Sequence, residues 1–98
     1  MINVTGSTEA RPDTFERVLE LSLEHVRRSR LEPGCLYHSV QVDAENAYRV
    51  VFLERWQDGD ALRAHFAVTA SNDFVTEAVE LATAPPEIAI YEAEPVSV

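Results

Sequence analysis

The run Tyr48-Arg49-Val50-Val51-Phe52-Leu53 is apolar on both faces of a strand, because Val50 and Phe52 alternate with Val51 and Leu53. A strand of that kind needs a cover on each side of its sheet. Immediately after it, Glu54-Arg55-Trp56 leads into a helical segment that carries Leu62, His65 and Phe66. By the period of two, Phe52, Glu54 and Trp56 share one face, so a carboxylate sits between two aromatic rings. If the helix folds back over that face, His65 arrives beside them.

The remaining periods supply the covers. Ile2, Val4, Gly6 and Thr8 form one face of a first strand. Asp13 followed by Glu16 resembles a capping box, and Phe15, Val18, Leu19, Ser22, Leu23 and Val26 then repeat at helical spacing, which predicts a helix over 13–30. Arg27, Arg28 and Arg30 suit the negative end of that helix, and Glu32-Pro33-Gly34 breaks it. Cys35 to Val42 reads as a second strand with Leu36, His38, Val40 and Val42 on one face, joined to the third by the turn Asp43-Ala44-Glu45-Asn46. Asp58 or Asp60 caps the next helix, and Ser71 or Asn72 caps another with Phe74, Ala78, Leu81 and Ala82 in a stripe. Pro85-Pro86 ends it before a last strand containing Ile88, Ile90 and Glu92.

Strand, helix, strand, strand, helix, helix, strand is the order of two split crossover units. These fold into a ferredoxin-like α+β sandwich, a four-stranded antiparallel sheet with helices on one face. One domain spanning 1–98 is expected, and a domain this small often gains stability by oligomerising. The uncovered sheet face therefore predicts a homodimer with sheets face to face, a dimeric α+β barrel.

Eight basic against seventeen acidic residues give a net charge of −9, and the arginines form no stripe, which argues against nucleic acid and anionic membrane as partners. No apolar run approaches the roughly 18 residues of a spanning helix, and the N-terminus has no basic-then-apolar segment; a cytoplasmic protein is the expectation. Cys35 is the only cysteine, and beside Leu36 it reads as an inert buried thiol. His25, His38 and His65 lie on three separate elements without i, i+4 pairing, and there is no glycine-rich phosphate loop, so neither a metal nor a flavin is expected.

Glu32-Pro33-Gly34-Cys35-Leu36 after an amphipathic helix, then Phe52-Leu53-Glu54-Arg55-Trp56, then Ala61-Leu62 and Ala64-His65-Phe66 resemble the antibiotic biosynthesis monooxygenase family of dimeric α+β barrels. The resemblance implies a cofactor-independent monooxygenase that oxidises a small aromatic quinol or polyphenol with molecular oxygen. His65 would take the phenolic proton, Glu54 or His38 would orient that base, and Trp56, Phe52, Phe66 and Phe74 would hold the ring. Haem-degrading relatives are disfavoured: their strand asparagine falls near Gly6, and the stretch from Phe74 to Ala82 has no histidine.

Each candidate also has a plain reading. His65 could be a hydrogen-bonded core histidine, Trp56 packing, Glu54 a partner for an arginine, and His38 a residue facing solvent or a partner sheet. The alternative function is a ligand-binding or structural dimer without turnover.

Overall fold

In the computed structural model, residues 1–98 form β1 (Ile2–Glu9), α1 (Phe15–Ser29), β2 (Cys35–Asp43), β3 (Asn46–Trp56), α2 (Gly59–Phe66), α3 (Thr69–Leu81) and β4 (Glu87–Glu92). The strands line up as β2-β3-β1-β4 with every neighbouring pair antiparallel. The helices touch one another and form one layer against one side of the sheet. This is the ferredoxin-like α+β arrangement that the order of periods predicts. No helix is long and apolar enough to cross a membrane.

The alternation along β3 becomes two different environments. Val50, Phe52, Glu54 and Trp56 face the helices and are buried, whereas Val51 and Leu53 are half-buried on the side that no helix covers. Opposite them on β1 lie Thr8, Gly6, Val4 and Ile2, the face the sequence pattern assigns.

Three local expectations are corrected. The first helix starts at Phe15, with Thr14 and not Asp13 at its cap position, because the Thr14 hydroxyl accepts the Arg11 N–H (3.0 Å) and donates to the Leu81 carbonyl (2.8 Å). Asp13 stays outside in a loose pair with Arg11. α3 begins at Thr69, so Ser71 and Asn72 lie inside its first turn instead of capping it. In β2 an irregularity between Cys35 and Tyr37 removes Leu36 from the helix-facing row. Cys35 then stands opposite Trp56, His38 opposite Glu54 and Val40 opposite Phe52. Leu36 is 56% exposed and His38 only 2%, so His38 faces neither solvent nor a partner sheet but the interior beneath the helices.

The expected cap at Asp58 is present: its carboxylate accepts the Ala61 N–H at 2.9 Å. Gly34 fixes how the end of α1 meets α2. Its φ of +80° is a left-handed conformation that favours glycine, and an added Cβ would lie 2.5 Å from the Ala61 Cβ. The Glu32-Pro33-Gly34 turn can therefore press onto the start of α2.

Two apolar clusters result. Ala10, Val18, Val26, Val50 and Phe52 form one, and Val4, Trp56 and Leu62 the other. Ile88 and Ile90 share the helix-facing row but stay 60% and 51% exposed, because β4 is the sheet edge.

Candidate active site

Four titratable side chains, each from a different element, converge on the helix-facing side of the sheet. α1 contributes His25, β2 His38, β3 Glu54 and α2 His65, and all four are buried. Ring centroids of the histidines lie 5.2 Å (His25 to His38), 5.3 Å (His25 to His65) and 5.7 Å (His38 to His65) apart.

The Glu54 carboxylate is the hub. Its Oε1 accepts the Trp56 indole N–H at 2.9 Å, and the Nε2 atoms of His38 and His65 lie 3.4 Å and 3.9 Å from that same oxygen. The His38 approach lacks the alignment of a hydrogen bond, and neither ring nitrogen of His38 has a partner. Burial by itself would push the Glu54 carboxyl up, but His38, the Trp56 N–H and His65 outweigh it and hold the group below the usual carboxylate range. Glu54 is therefore an anion in a largely dry site.

His65 is oriented from behind by Glu32, a residue whose only expected part was the break after the first helix. Glu32 Oε1 lies 2.9 Å from His65 Nδ1. A carboxylate only accepts, so Nδ1 carries a proton, and Nε2 is the ring nitrogen on the side of Glu54. The turn at Gly34 delivers Glu32 to this position.

His25 differs in character. Its Nδ1 is 3.0 Å from Arg28 Nη2, and a guanidinium only donates, so this nitrogen must accept and the ring proton resides on the other. Burial, followed by His38, His65 and Arg28, lowers its pKa to about 3, so the ring is neutral. It stacks on Phe74 with centroids 4.3 Å apart and planes 10° from parallel.

A cavity of about 190 Å³ opens against this cluster between the sheet and α3, near the exposed edge at β4. Among its lining residues are His25, Phe52, Glu54, His65, Phe66 and Phe74. Of the residues singled out from sequence, the structure thus brings Phe52, Glu54, His65, Phe66 and Phe74 to one cavity. Trp56 and His38 do not line it; they stand behind Glu54 and His65, with the Trp56 ring 4.6 Å from that of His65. His25, Glu32 and Ser71 are the residues that sequence reasoning missed. Ser71, read as a cap, is buried at the cavity wall with its hydroxyl unpaired. Cys35 lies outside the cavity and is half-buried, and desolvation raises its thiol against the opposing backbone hydrogen bond at Tyr37, which disfavours the thiolate.

The sequence profile of the antibiotic biosynthesis monooxygenase family matches residues 1–77. A Synechocystis sp. protein of uncharacterised activity is 34% identical over 91 residues, which is 93% of this chain. The chain spans only 62% of that relative's length. YcnE of Bacillus subtilis, a candidate monooxygenase, is 29% identical over 90 residues, covering 90% of this chain and 93% of YcnE. The crystal structure of an antibiotic biosynthesis monooxygenase superposes with a TM-score of 0.89 at 28% identity, over 97% of this chain and 100% of that one. A candidate family member from Deinococcus radiodurans reaches 0.94 at 23% identity, over 100% and 98% of the two chains, and shows the same fold.

Proposed function

This chain belongs to the antibiotic biosynthesis monooxygenase family, and on that premise we propose that it oxidises a small aromatic quinol with molecular oxygen, using electrons that the substrate itself supplies. The observation that carries this reading is the Glu32–His65 pair at 2.9 Å, which leaves an oriented imidazole nitrogen beside an aromatic-walled cavity. A carboxylate behind a histidine fixes its tautomer and stabilises the imidazolium formed when the other nitrogen takes a proton. Glu32, not Glu54 or His38, is then the residue that orients the base.

In this mechanism a quinol enters the cavity and packs against Phe52, Phe66 and Phe74. His65 Nε2 takes a phenolic proton, and the resulting phenolate is a far better reductant than the phenol. Electrons pass from the ring to oxygen; one oxygen atom enters the ring and the other leaves as water, so quinol plus oxygen gives hydroxyquinone plus water. A volume of about 190 Å³ lies below the roughly 300–1,000 Å³ of sites for drug-sized ligands, which favours a single small ring system. Oxygen uptake with a panel of simple quinols tests the reading. His65→Ala should lower turnover by about 10²–10⁴-fold with the fold retained, and Glu32→Gln should shift the pH profile of the residual rate. Unchanged uptake in His65→Ala would overturn the mechanism.

The same reading includes a homodimer. Val51 and Leu53, with exposed Tyr37 and Tyr91 on neighbouring strands, make up an uncovered sheet face in a chain of 98 residues. Light scattering should give twice the chain mass, and Leu53→Asp should yield monomers of reduced stability. A wild-type monomer at micromolar concentration would refute this assembly.

A further inference from the structure

His38 is the least explained residue of the interior. It is 2% exposed, and neither ring nitrogen is hydrogen-bonded. A buried polar group without a partner is destabilising, and the neighbours of His38 on the same face, Cys35 and Val40, show that apolar side chains suit this strand. Its Nε2 is nevertheless 3.4 Å from Glu54 Oε1, and His65 Nε2 is 3.9 Å from that same oxygen.

We infer that His38 Nε2, His65 Nε2 and the Glu54 carboxylate form a binding site for a first-row divalent transition-metal ion at the inner wall of the cavity. Ions of this class bind imidazole nitrogen and carboxylate oxygen at about 2.0–2.2 Å, which in tetrahedral geometry separates neighbouring ligand atoms by roughly 3.3–3.6 Å. The His38–Glu54 separation already has that span, and His65 needs a shift of about half an ångström. The surrounding contacts are those of a metal site as well. Glu32 accepts the Nδ1–H of His65, and the Trp56 N–H steadies the Glu54 carboxylate. Glu54 and His65 both line the cavity, so the remaining coordination positions face it.

Geometry alone would admit His25 too, since ligand atoms of the three histidines lie within 4.8 Å of one another. Its hydrogen bond rules it out. One nitrogen is occupied by Arg28 and the other holds the proton, so His25 has no free lone pair while Arg28 stays in place. It contributes a hydrogen-bond donor near the site, not a ligand. This site is independent of quinol oxidation, but the two meet at one atom: a cation on His65 Nε2 removes the lone pair that would take the phenolic proton.

The test uses untagged, chelator-treated protein titrated with Co²⁺, followed by calorimetry and by the visible ligand-field bands of the bound ion. All three histidines of the chain belong to this cluster, so no other imidazole competes. The expected result is saturable binding of one ion per chain, weakened at least tenfold by His38→Leu and by Glu54→Gln. Glu32→Gln should weaken it by about 10–100-fold, and His25→Phe should leave it within a few-fold. Absence of saturable Co²⁺ uptake by the wild type would overturn the proposal, whatever the variants do. Binding that survives His38→Leu, or that is abolished by His25→Phe, would overturn the ligand set.

Discussion

Two stretches of one strand face can be compared directly, because Val50 and Phe52 are followed two and four residues later by Glu54 and Trp56. At Val50 and Phe52 the face meets Val18 and Val26 of α1 in an apolar cluster. At Glu54 it meets the imidazoles of His38 and His65 and an indole N–H. Burial is nearly the same, with Val50 at 0% and Glu54 at 7% exposure, yet the consequences are opposite. Apolar burial adds stability in proportion to area. Burial of a carboxylate and three imidazoles costs desolvation, which their mutual contacts only partly offset. The interior thus has a stabilising half and a half kept for chemistry.

Unfolding experiments can break this contrast. The largest effect is expected at Phe52, buried in the first apolar cluster, where Phe52→Ala should cost about 3–5 kcal/mol in urea denaturation. Against it, His25→Phe should cost less than about 1.5 kcal/mol, since a phenyl ring can keep the stacking on Phe74. Equal losses at the two positions would mean that the polar half contributes stability as the apolar half does.

A smaller effect should appear in the pH dependence. The folded pKa of His25 is about 3 against an ordinary 6.5, so between those values the unfolded chain binds a proton that the folded chain refuses. Stability from this group is complete above 6.5 and is lost as pH falls towards 3, with a slope of about 1.4 kcal/mol per pH unit. Glu54, also depressed, adds a loss in the same direction, but only below its ordinary 4.5. Comparing denaturation near pH 6 and pH 5 isolates His25, and His25→Phe should flatten the dependence there. A wild type with no slope in that interval would show that the ring is not kept neutral.

The smallest effect belongs to Ser71, whose buried hydroxyl has no partner. Ser71→Ala should be neutral or stabilising by up to about 1 kcal/mol, measured by thermal melting. A clear destabilisation would mean that the hydroxyl is hydrogen-bonded in solution.

Some of this site was legible before any tertiary contact was known. Phe52, Glu54 and Trp56 fall on one face because a strand has a period of two, and His65 with Phe66 follows on the next helix within reach of it. The rest was hidden for separate reasons. His25 sits in the same stripe as Val18, Ser22 and Val26, where a histidine looks like one more inward-facing residue. Glu32 lies 33 residues from His65, in a turn whose evident role was to stop a helix. His38 shares an alternating row with Leu36 in the sequence, but the irregularity in β2 leaves Leu36 out and keeps His38 inside. Ser71 changes role because α3 is capped at Val68, three residues before Ser71.

Element types and their order, and with them the ferredoxin-like sheet and the sidedness of β3, follow from the pattern of residues along the chain. Hydrophobic period is a local property, and handed crossovers leave few topologies that satisfy it. That histidines on three separate elements share one cluster with Glu54 is a matter of tertiary packing, which the absence of i, i+4 pairing does not foretell. That convergence depends on the positive φ of Gly34, the irregularity in β2 and the angle at which α2 returns over the sheet. Distances of a few ångströms between groups far apart in sequence are set by packing, which no single segment encodes.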